Sequence, residues 1–280
     1  MKTSLQHLSP LRRQQLQTIT RIIRQAVEPE KILLYGPYAA NSGVPDSLSS
    51  YHIMVITRRR ESRHATQVQD TVENSCRILT PITVWVNDID FVNDQRSKGQ
   101  FFFTFLDHEA ILLYDAGIVA LAAAAPPDWA SIRETAQKDF EVWTHRAQAF
   151  FESAAFSRSR RENPTAAFLL HQAAEQAYHA ILLVFIGYKP ATHNLDKLRR
   201  YTERFSVELA ALFPRDQPGE LHLFKLLLHA YLNARYESDY HLETDDLDLL
   251  TGRVRELLSI TRRICRNRLI LLDKILEGVQ

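Results

Sequence analysis

Residues that could carry chemistry lie close together in the C-terminal half, where Arg235 is followed by Tyr236, Tyr240 and His241. An imidazole can act as general base or acid on a ribose 2′-hydroxyl, and a guanidinium can stabilise the charge that develops on a phosphate. An arginine beside tyrosines suits the binding of a phosphate or a stacked base equally well. The residue types therefore leave catalysis and binding both open.

The spacing of Arg235 and His241 limits how they could act together. On a continuous helix, six residues correspond to about 240° of rotation, so the two side chains would not share a face. They can meet only if the helix breaks between them. The segment ESDYHLET at residues 237–244 has the composition of such a break, so the sequence permits the pair without requiring it.

The N-terminal half holds a second candidate site in residues 32–57, ILLYGPYAANSGVPDSLSSYHIMVIT. The order is a buried strand, a turn with Gly36 and Pro37, a long loop, and a second strand. Small phosphate-handling sites are often built in this way. Residues two apart on a strand, such as Ser50 and His52, project from the same face.

This segment resembles the minimal nucleotidyltransferase family over roughly residues 10–120. In that family a Gly-Ser turn holds the triphosphate, and an Asp-x-Asp pair on the next strand binds the Mg²⁺ ions that bridge the phosphates. The resemblance aligns Gly36 and Pro37 with the Gly-Ser turn, and Ser50 and His52 with the two aspartates. We therefore expect a degenerate domain without Mg²⁺, other metals or cofactors.

Other carboxylates in this half do not replace the missing pair. Asp46 lies in the loop, too early for the register, and the strand ITVWV, where the family carries a third carboxylate, has none. Asp88 and Asp90 follow that strand, where we expect them to cap the next segment.

The elements that would position these residues change in character along the chain. A helix over residues 8–27, strands KILLYG, YHIMVIT, ITVWV and ILLYD, and a helix over residues 61–76 predict an α/β arrangement. After the small-residue stretch ending in Pro126 and Pro127, helical periodicity predominates. We predict helices near residues 128–158, 163–187, 194–206, 219–235 and 244–277, the last capped by Thr244.

The helical half resembles the HEPN family (higher eukaryotes and prokaryotes nucleotide-binding), most clearly over residues 162–201. The shared residues are a Gln-Ala-x-Glu helix core, a glycine turn and a His-Asn-Leu helix start: Gln172, Ala173, Glu175, Gly187, His193, Asn194 and Leu195. Together the two resemblances imply an α+β two-domain chain. Residues 1–122 form an α/β nucleotidyltransferase-like domain with a small mixed sheet, and residues 123–280 form an all-α HEPN helical bundle.

The HEPN resemblance implies two alternative sites. Ribonuclease members carry an arginine, four to six residues and a histidine, which Arg235 and His241 satisfy. Non-ribonuclease members carry Ala-Arg-Tyr, then a tyrosine, an aliphatic residue and a threonine, matched by Ala234, Arg235, Tyr236, Tyr240, Leu242 and Thr244. The second pattern predicts nucleotide or RNA binding by Arg235, Tyr236 and Tyr240, with Glu175 on the neighbouring helix.

The fusion of these two families implies a toxin–antitoxin-like stress or defence role and a homodimer formed through the HEPN domain. Net charge is +1, so any nucleic-acid binding must use a local basic patch. Cys76 and Cys265 form no zinc or disulfide pattern. Without a signal peptide or a run near the ~18 apolar residues of a membrane span, we expect a soluble cytoplasmic protein with no membrane partner.

Overall fold

The computed structural model describes residues 1–40, 50–58, 64–76, 79–80, 82–190, 192–214, 217–237, 240 and 242–278. The chain divides into two compact units, Met1–Asp128 and Trp129–Gln280.

Over its described residues, the N-terminal unit has five helices and four strands. In chain order they are α1 (Pro10–Val27), β1 (Lys31–Tyr35), α2 (Pro37–Ala40), β2 (Tyr51–Thr57), α3 (Ala65–Cys76), β3 (Ile82–Asp88), α4 (Ile89–Ser97), α5 (Phe101–Glu109) and β4 (Ile111–Asp115). The strands form one sheet in the order β3-β2-β1-β4. β1 runs antiparallel to β2 and β4, whereas β2 and β3 are parallel. The predicted small mixed sheet is confirmed.

Helices cover both faces of this sheet, which explains why β1 and β2 are buried at every residue. On one face, Ile19 of α1 and Val72 of α3 join a core with Ile32 and Ile53. On the other, the Trp85 ring contacts the Phe102 ring of α5 at 4.7 Å. Because both faces of β1 and β2 are buried, the sequences of these strands contain continuous apolar runs and do not alternate between apolar and polar residues.

Several segments have more structure than the sequence predicted, among them the short helix α2 at Pro37–Ala40. Residues 89–97 and the aromatic-rich residues 101–109 are helices α4 and α5. Asp88 caps α4, since its carboxylate accepts a hydrogen bond from the Phe91 backbone N–H at 2.8 Å. The expected capping role of Asp88 is therefore confirmed.

The C-terminal unit is helical throughout its regular elements, as predicted. They are α6 (Trp129–Ser159), α7 (Asn163–Ile186), α8 (Leu195–Thr202), a 3-10 turn (Glu203–Phe205), α9 (Val207–Ala211), α10 (Pro218–Tyr236) and α11 (Thr244–Leu276). Helix α7 lies at the centre and packs against α6, α8, α10 and α11. Its buried alanines, including Ala173 and Ala177, let these neighbours approach closely.

The ends of α7 and α8 place the residues between them. Gly187 ends α7 in the left-handed conformation, at φ 65°, and its N–H donates to the Leu183 carbonyl. The Asn194 side chain caps α8 by accepting from the backbone N–H groups of Asp196 and Lys197. The short connection between the two caps therefore carries His193 back across α7.

The expected cap of the last helix was wrong. Helix α11 begins at Thr244 itself, and the capping position is Glu243, whose side chain makes no capping hydrogen bond. The Thr244 hydroxyl lies instead 3.4 Å from the amide nitrogen of Asn163. None of the helices in the described residues is long and apolar enough to cross a membrane.

Candidate functional site

The site is built around two polar residues on the buried face of α7. His171 and Glu175 are four residues apart, so they lie one above the other on the same side of the helix. Both are almost completely buried, at 0% and 3% exposure. The distance from His171 Nδ1 to Glu175 Oε2 is 4.0 Å, and Oε2 makes no hydrogen bond within the described residues.

His193 supplies the hydrogen bond that the buried carboxylate needs. Its Nδ1 lies 3.0 Å from Glu175 Oε1, while 64% of the His193 side chain is exposed. Because a carboxylate oxygen only accepts, Nδ1–H is the donor of this hydrogen bond, and Nε2 is not part of it. The protein therefore holds an accessible imidazole in a fixed orientation, using a carboxylate from inside the bundle.

The ring of Tyr231 on α10 joins these residues to Arg235. His193 stacks with Tyr231 at 5.3 Å between ring centroids and 12° between planes, and His171 lies 5.1 Å away. The Arg235 guanidinium carbon lies 4.3 Å from the Tyr231 centroid. Tyr231 and Arg235 are four residues apart, so one face of α10 carries both.

Arg235 is exposed at the last turn of α10 and keeps its charge available. Its guanidinium also lies 4.9 Å from the ring of Tyr236, which is 74% exposed. Within the described part of the chain, no carboxylate lies at ion-pair distance from Arg235. The arrangement can accept an anion on the guanidinium and a flat ring beside it.

The electrostatics of the site keep its inner histidine neutral. Burial lowers the pKa of His171 from 6.5 to about 3, and the positive charge of Arg235 acts in the same direction. Burial similarly lowers the pKa of His179, one helical turn further along α7 from Glu175, to about 3. The accessible imidazole of the cluster is therefore that of His193.

The predicted C-terminal site residues are only partly brought together. Glu175 reaches Arg235 through His193 and Tyr231, and Tyr236 contacts Arg235 directly. Tyr240 is half-buried, which raises the pKa of its phenol, and it shares no ring contact or hydrogen bond with that group among the described residues. His241 lies outside the described residues.

Sequence reasoning missed Tyr231 and His171, and used His193 only as a motif residue. The available signal was spacing, because His171 with Glu175 and Tyr231 with Arg235 are both pairs at i and i+4. Such pairs share a helix face. Which two faces would meet depends on how α7 and α10 pack, which the spacing does not encode.

The N-terminal candidate residues form a packed cluster. Gly36 adopts φ 75°, and a β-carbon there would lie 3.3 Å from the His52 ring. His52 is buried, with its ring 5.5 Å from that of Tyr35 in an edge-on contact. The Ser50 hydroxyl is 2.9 Å from the Thr83 hydroxyl, and Pro37 begins the short helix α2. Within the described ranges, no three His, Cys, Asp or Glu side chains group as metal ligands would.

Comparison with known proteins gives one family for the helical half. A search of the curated proteins found no match to the chain. One family model matches the chain, and the matched residues all lie within the second unit. Residues 140–265 match the family model of the HEPN domain, which confirms the resemblance seen in the C-terminal sequence.

Proposed function

We propose that this protein binds a nucleotide or nucleic acid at the surface formed by His193, Tyr231, Arg235 and Tyr236, here called the Arg235 surface. The observation that carries the proposal is the exposed Arg235 guanidinium, which rests on Tyr231 and has no carboxylate partner among the described residues. A phosphate would take the guanidinium, and a base would take an exposed ring. Glu175 contributes to this binding by holding the His193 ring in place. The predicted role of Tyr240 in binding the ligand stays a prediction.

The HEPN match supports this assignment, since such domains are typically nucleic-acid-binding or ribonuclease-like. For the N-terminal unit we propose an inactive nucleotidyltransferase-like domain. The mixed sheet, the turn at Gly36, and the packed Ser50 and His52 in place of paired carboxylates support that proposal. A toxin–antitoxin-like stress or defence role would follow from the pairing of these two domains.

The same surface supports a homodimer through the HEPN domain. Leu232 and Tyr236 are four residues apart on α10, and both are largely exposed, at 56% and 74%. Two copies packed along α10 would bury Leu232 and bring two Arg235 surfaces, with their Tyr236 rings still accessible, into one cleft. Sedimentation of the full chain, with Leu232→Glu as the disrupting variant, tests the dimer.

The binding test uses fluorescence anisotropy with a labelled adenine nucleotide and the full chain. We expect Arg235→Ala to weaken binding at least tenfold, about 1.4 kcal/mol, because a charge-assisted contact is lost. Arg160→Ala is the matched control, since Arg160 is also exposed but is paired with Glu162. Equal affinity of wild type and Arg235→Ala would reject the Arg235 surface as the site.

The second candidate function is a metal-independent endoribonuclease, favoured by the oriented His193 imidazole beside Arg235. A histidine would take the proton of a ribose 2′-hydroxyl as the oxygen attacks phosphorus, and the 5′-oxygen would leave with a proton from a general acid. Arg235 would stabilise the charged transition state. The sequence pattern offers His241 for the histidine role, and the cluster geometry offers His193.

Cleavage of labelled RNA in EDTA separates these possibilities. Wild type, His241→Ala and His193→Ala are compared at equal concentration. Loss of fragments with His241→Ala alone would assign the role to His241, and loss with His193→Ala would assign it to the oriented imidazole. Intact RNA with the wild type would leave binding as the function.

A further inference from the structure

A basic groove runs between α6 and α11 in the helical unit, and it shares no lining residue with the Arg235 surface. It has a volume of about 680 Å³, and its lining includes Gln148, Phe151, Arg255, Arg262, Arg266 and Ile270. Arg263 also lines it and is ion-paired with Glu208. Among the residues that the structure describes, no acidic side chain lines the groove, although the chain as a whole carries a net charge of only +1.

The arginines form a stripe along one side of α11. Arg255, Arg262 and Arg266 are separated by seven and four residues, which returns each to nearly the same side of an α-helix. At 1.5 Å per residue, the stripe extends about 16 Å along the axis. A row of cations of this length matches an extended anion, and a single phosphate would occupy only part of it.

Three of the four arginines keep their charge unneutralised. In the part of the chain that the structure describes, no carboxylate lies at ion-pair distance from Arg255, Arg262 or Arg266. Arg262 instead donates to the Gln148 side chain at 2.5 Å. Arg255 and Arg266 lie over the rings of Phe151 and Phe140, at 5.5 and 6.0 Å. Aromatic contacts hold these guanidinium groups without neutralising them.

The apolar side chains in the groove indicate which class of anion would bind there. Phe151 is half-buried, and Ile270, which also lines the groove, is 54% exposed. A polyanion that carries only carboxylates would leave the Phe151 ring and the Ile270 side chain exposed to water. A single-stranded nucleic acid offers both a row of phosphates for the arginines and flat bases for the ring and the aliphatic side chain.

We propose that the α6–α11 groove binds single-stranded RNA through its phosphate backbone. This site is separate from the Arg235 surface and does not depend on that proposal. It would hold several nucleotides of a chain by charge, with little selection of sequence.

The test measures anisotropy of a labelled single-stranded RNA of twelve nucleotides with the full chain, over a series of salt concentrations. The variant Arg255→Ala/Arg266→Ala removes two exposed arginines that have no carboxylate partner. We expect at least tenfold weaker binding, and a slope of log affinity against log salt that falls by about 1.4, for two lost phosphate contacts. Arg263→Ala should have a smaller effect, because Glu208 already neutralises that arginine.

The control Arg160→Ala/Arg161→Ala removes two exposed arginines from the connection between α6 and α7. An equal loss of RNA affinity in this control would overturn the proposal, as would a wild type that binds no RNA at 0.1 M salt. Displacement of RNA by polyglutamate at equal charge concentration would also overturn it, in favour of an acidic polypeptide. If Arg255→Ala/Arg266→Ala fails to fold by circular dichroism, Arg266→Ala alone gives the same slope test with a decrease of about 0.7.

A second measurement keeps this proposal distinct from the Arg235 surface. Binding of a labelled mononucleotide should be unchanged in Arg255→Ala/Arg266→Ala, and RNA should still bind the groove in Arg235→Ala. If Arg235→Ala loses RNA binding while Arg255→Ala/Arg266→Ala keeps the wild-type RNA affinity, all binding belongs to the Arg235 surface. That result would overturn the proposal of an RNA site in the groove.

Discussion

His193 Nδ1 lies 3.0 Å from Glu175 Oε1, so an exposed imidazole is held by a carboxylate that is almost entirely buried. The two residues are 18 positions apart, on either side of the turn at Gly187. The hydrogen bond fixes the ring beside Tyr231 and, through it, beside Arg235. The candidate site therefore depends on a polar contact that begins inside the bundle.

This hydrogen bond should appear as a coupling energy in a double-mutant cycle. With Glu175→Leu, His193→Ala and the combined variant, we expect a coupling of about 0.5–1.5 kcal/mol in the free energy of unfolding. Urea unfolding at pH 7 measures it. The cycle is needed because removing a buried carboxylate also removes the cost of its desolvation. The net effect of such a single substitution on stability can therefore be positive or negative, depending on the site. Additive single variants would show that the contact contributes nothing.

The aromatic character of Tyr231 should matter more than its hydroxyl. Tyr231→Phe keeps the ring that contacts His193 and Arg235, so nucleotide affinity should stay within about threefold of wild type. Tyr231→Ala removes the support for both side chains, and we expect binding to weaken by about tenfold, equal to 1.4 kcal/mol. Anisotropy titration measures both. Equal losses in the two variants would show that the hydroxyl contacts the ligand.

The sequence predicted most of the regular elements, since their signals are local. Ser9 caps α1 by accepting from the Arg12 N–H, and Gly187 ends α7, as helix signals indicated. The predicted start of α11 at residue 244 is confirmed, but the capping role expected for Thr244 was wrong, since its hydroxyl lies against Asn163, 81 residues away in sequence. The Tyr231–His193 contact was missed for the same reason. Contacts between distant elements follow from packing, which a single sequence does not specify.

Stability should fall between pH 7 and pH 5 because His171 and His179 are buried in the neutral form. Burial lowers the pKa of each ring from 6.5 to about 3. Below pH 6.5 the unfolded chain takes up protons that the folded protein cannot, so the free energy of unfolding decreases as pH falls towards 3. Each ring contributes at most about 1.4 kcal/mol per pH unit. Urea unfolding at pH 7, 6 and 5 measures the slope.

Substitution of one buried ring separates its part of this slope. His179→Leu should reduce the pH dependence between pH 7 and 5, because one of the two buried rings no longer titrates on unfolding. The matched variant is His145→Leu, on the exposed side of α6. An unchanged slope in His179→Leu would contradict a buried neutral histidine at that position.

Two neighbouring arginines on α8 should differ sharply in their effect on stability. Arg199 is buried, donates to Asp196 at 2.7 Å and to the Phe213 carbonyl at 3.0 Å, and lies over the Phe224 ring. Arg199→Met should cost about 2–3 kcal/mol, because the Phe213 carbonyl stays buried and loses its donor. Arg200 also contacts Asp196 but is more exposed, so Arg200→Met should cost about 1 kcal/mol or less. Similar costs in thermal or urea unfolding would contradict this difference.

A carboxylate introduced at the buried position of Ser50 in the N-terminal unit should lower the stability of the protein. Ser50 is 6% exposed, and its hydroxyl is satisfied by Thr83. Ser50→Asp would bury a charge with one hydroxyl as its partner, so we expect a loss of about 2 kcal/mol or more at pH 7. Ser50→Asn is the matched control because it has the same shape without the charge. Since burial raises the pKa of a carboxyl group, the deficit of Ser50→Asp relative to Ser50→Asn should shrink as pH falls to 4. Equal stability of the two variants at pH 7, or recovery of Ser50→Asp on addition of Mg²⁺, would show that this position still accommodates a metal-binding carboxylate.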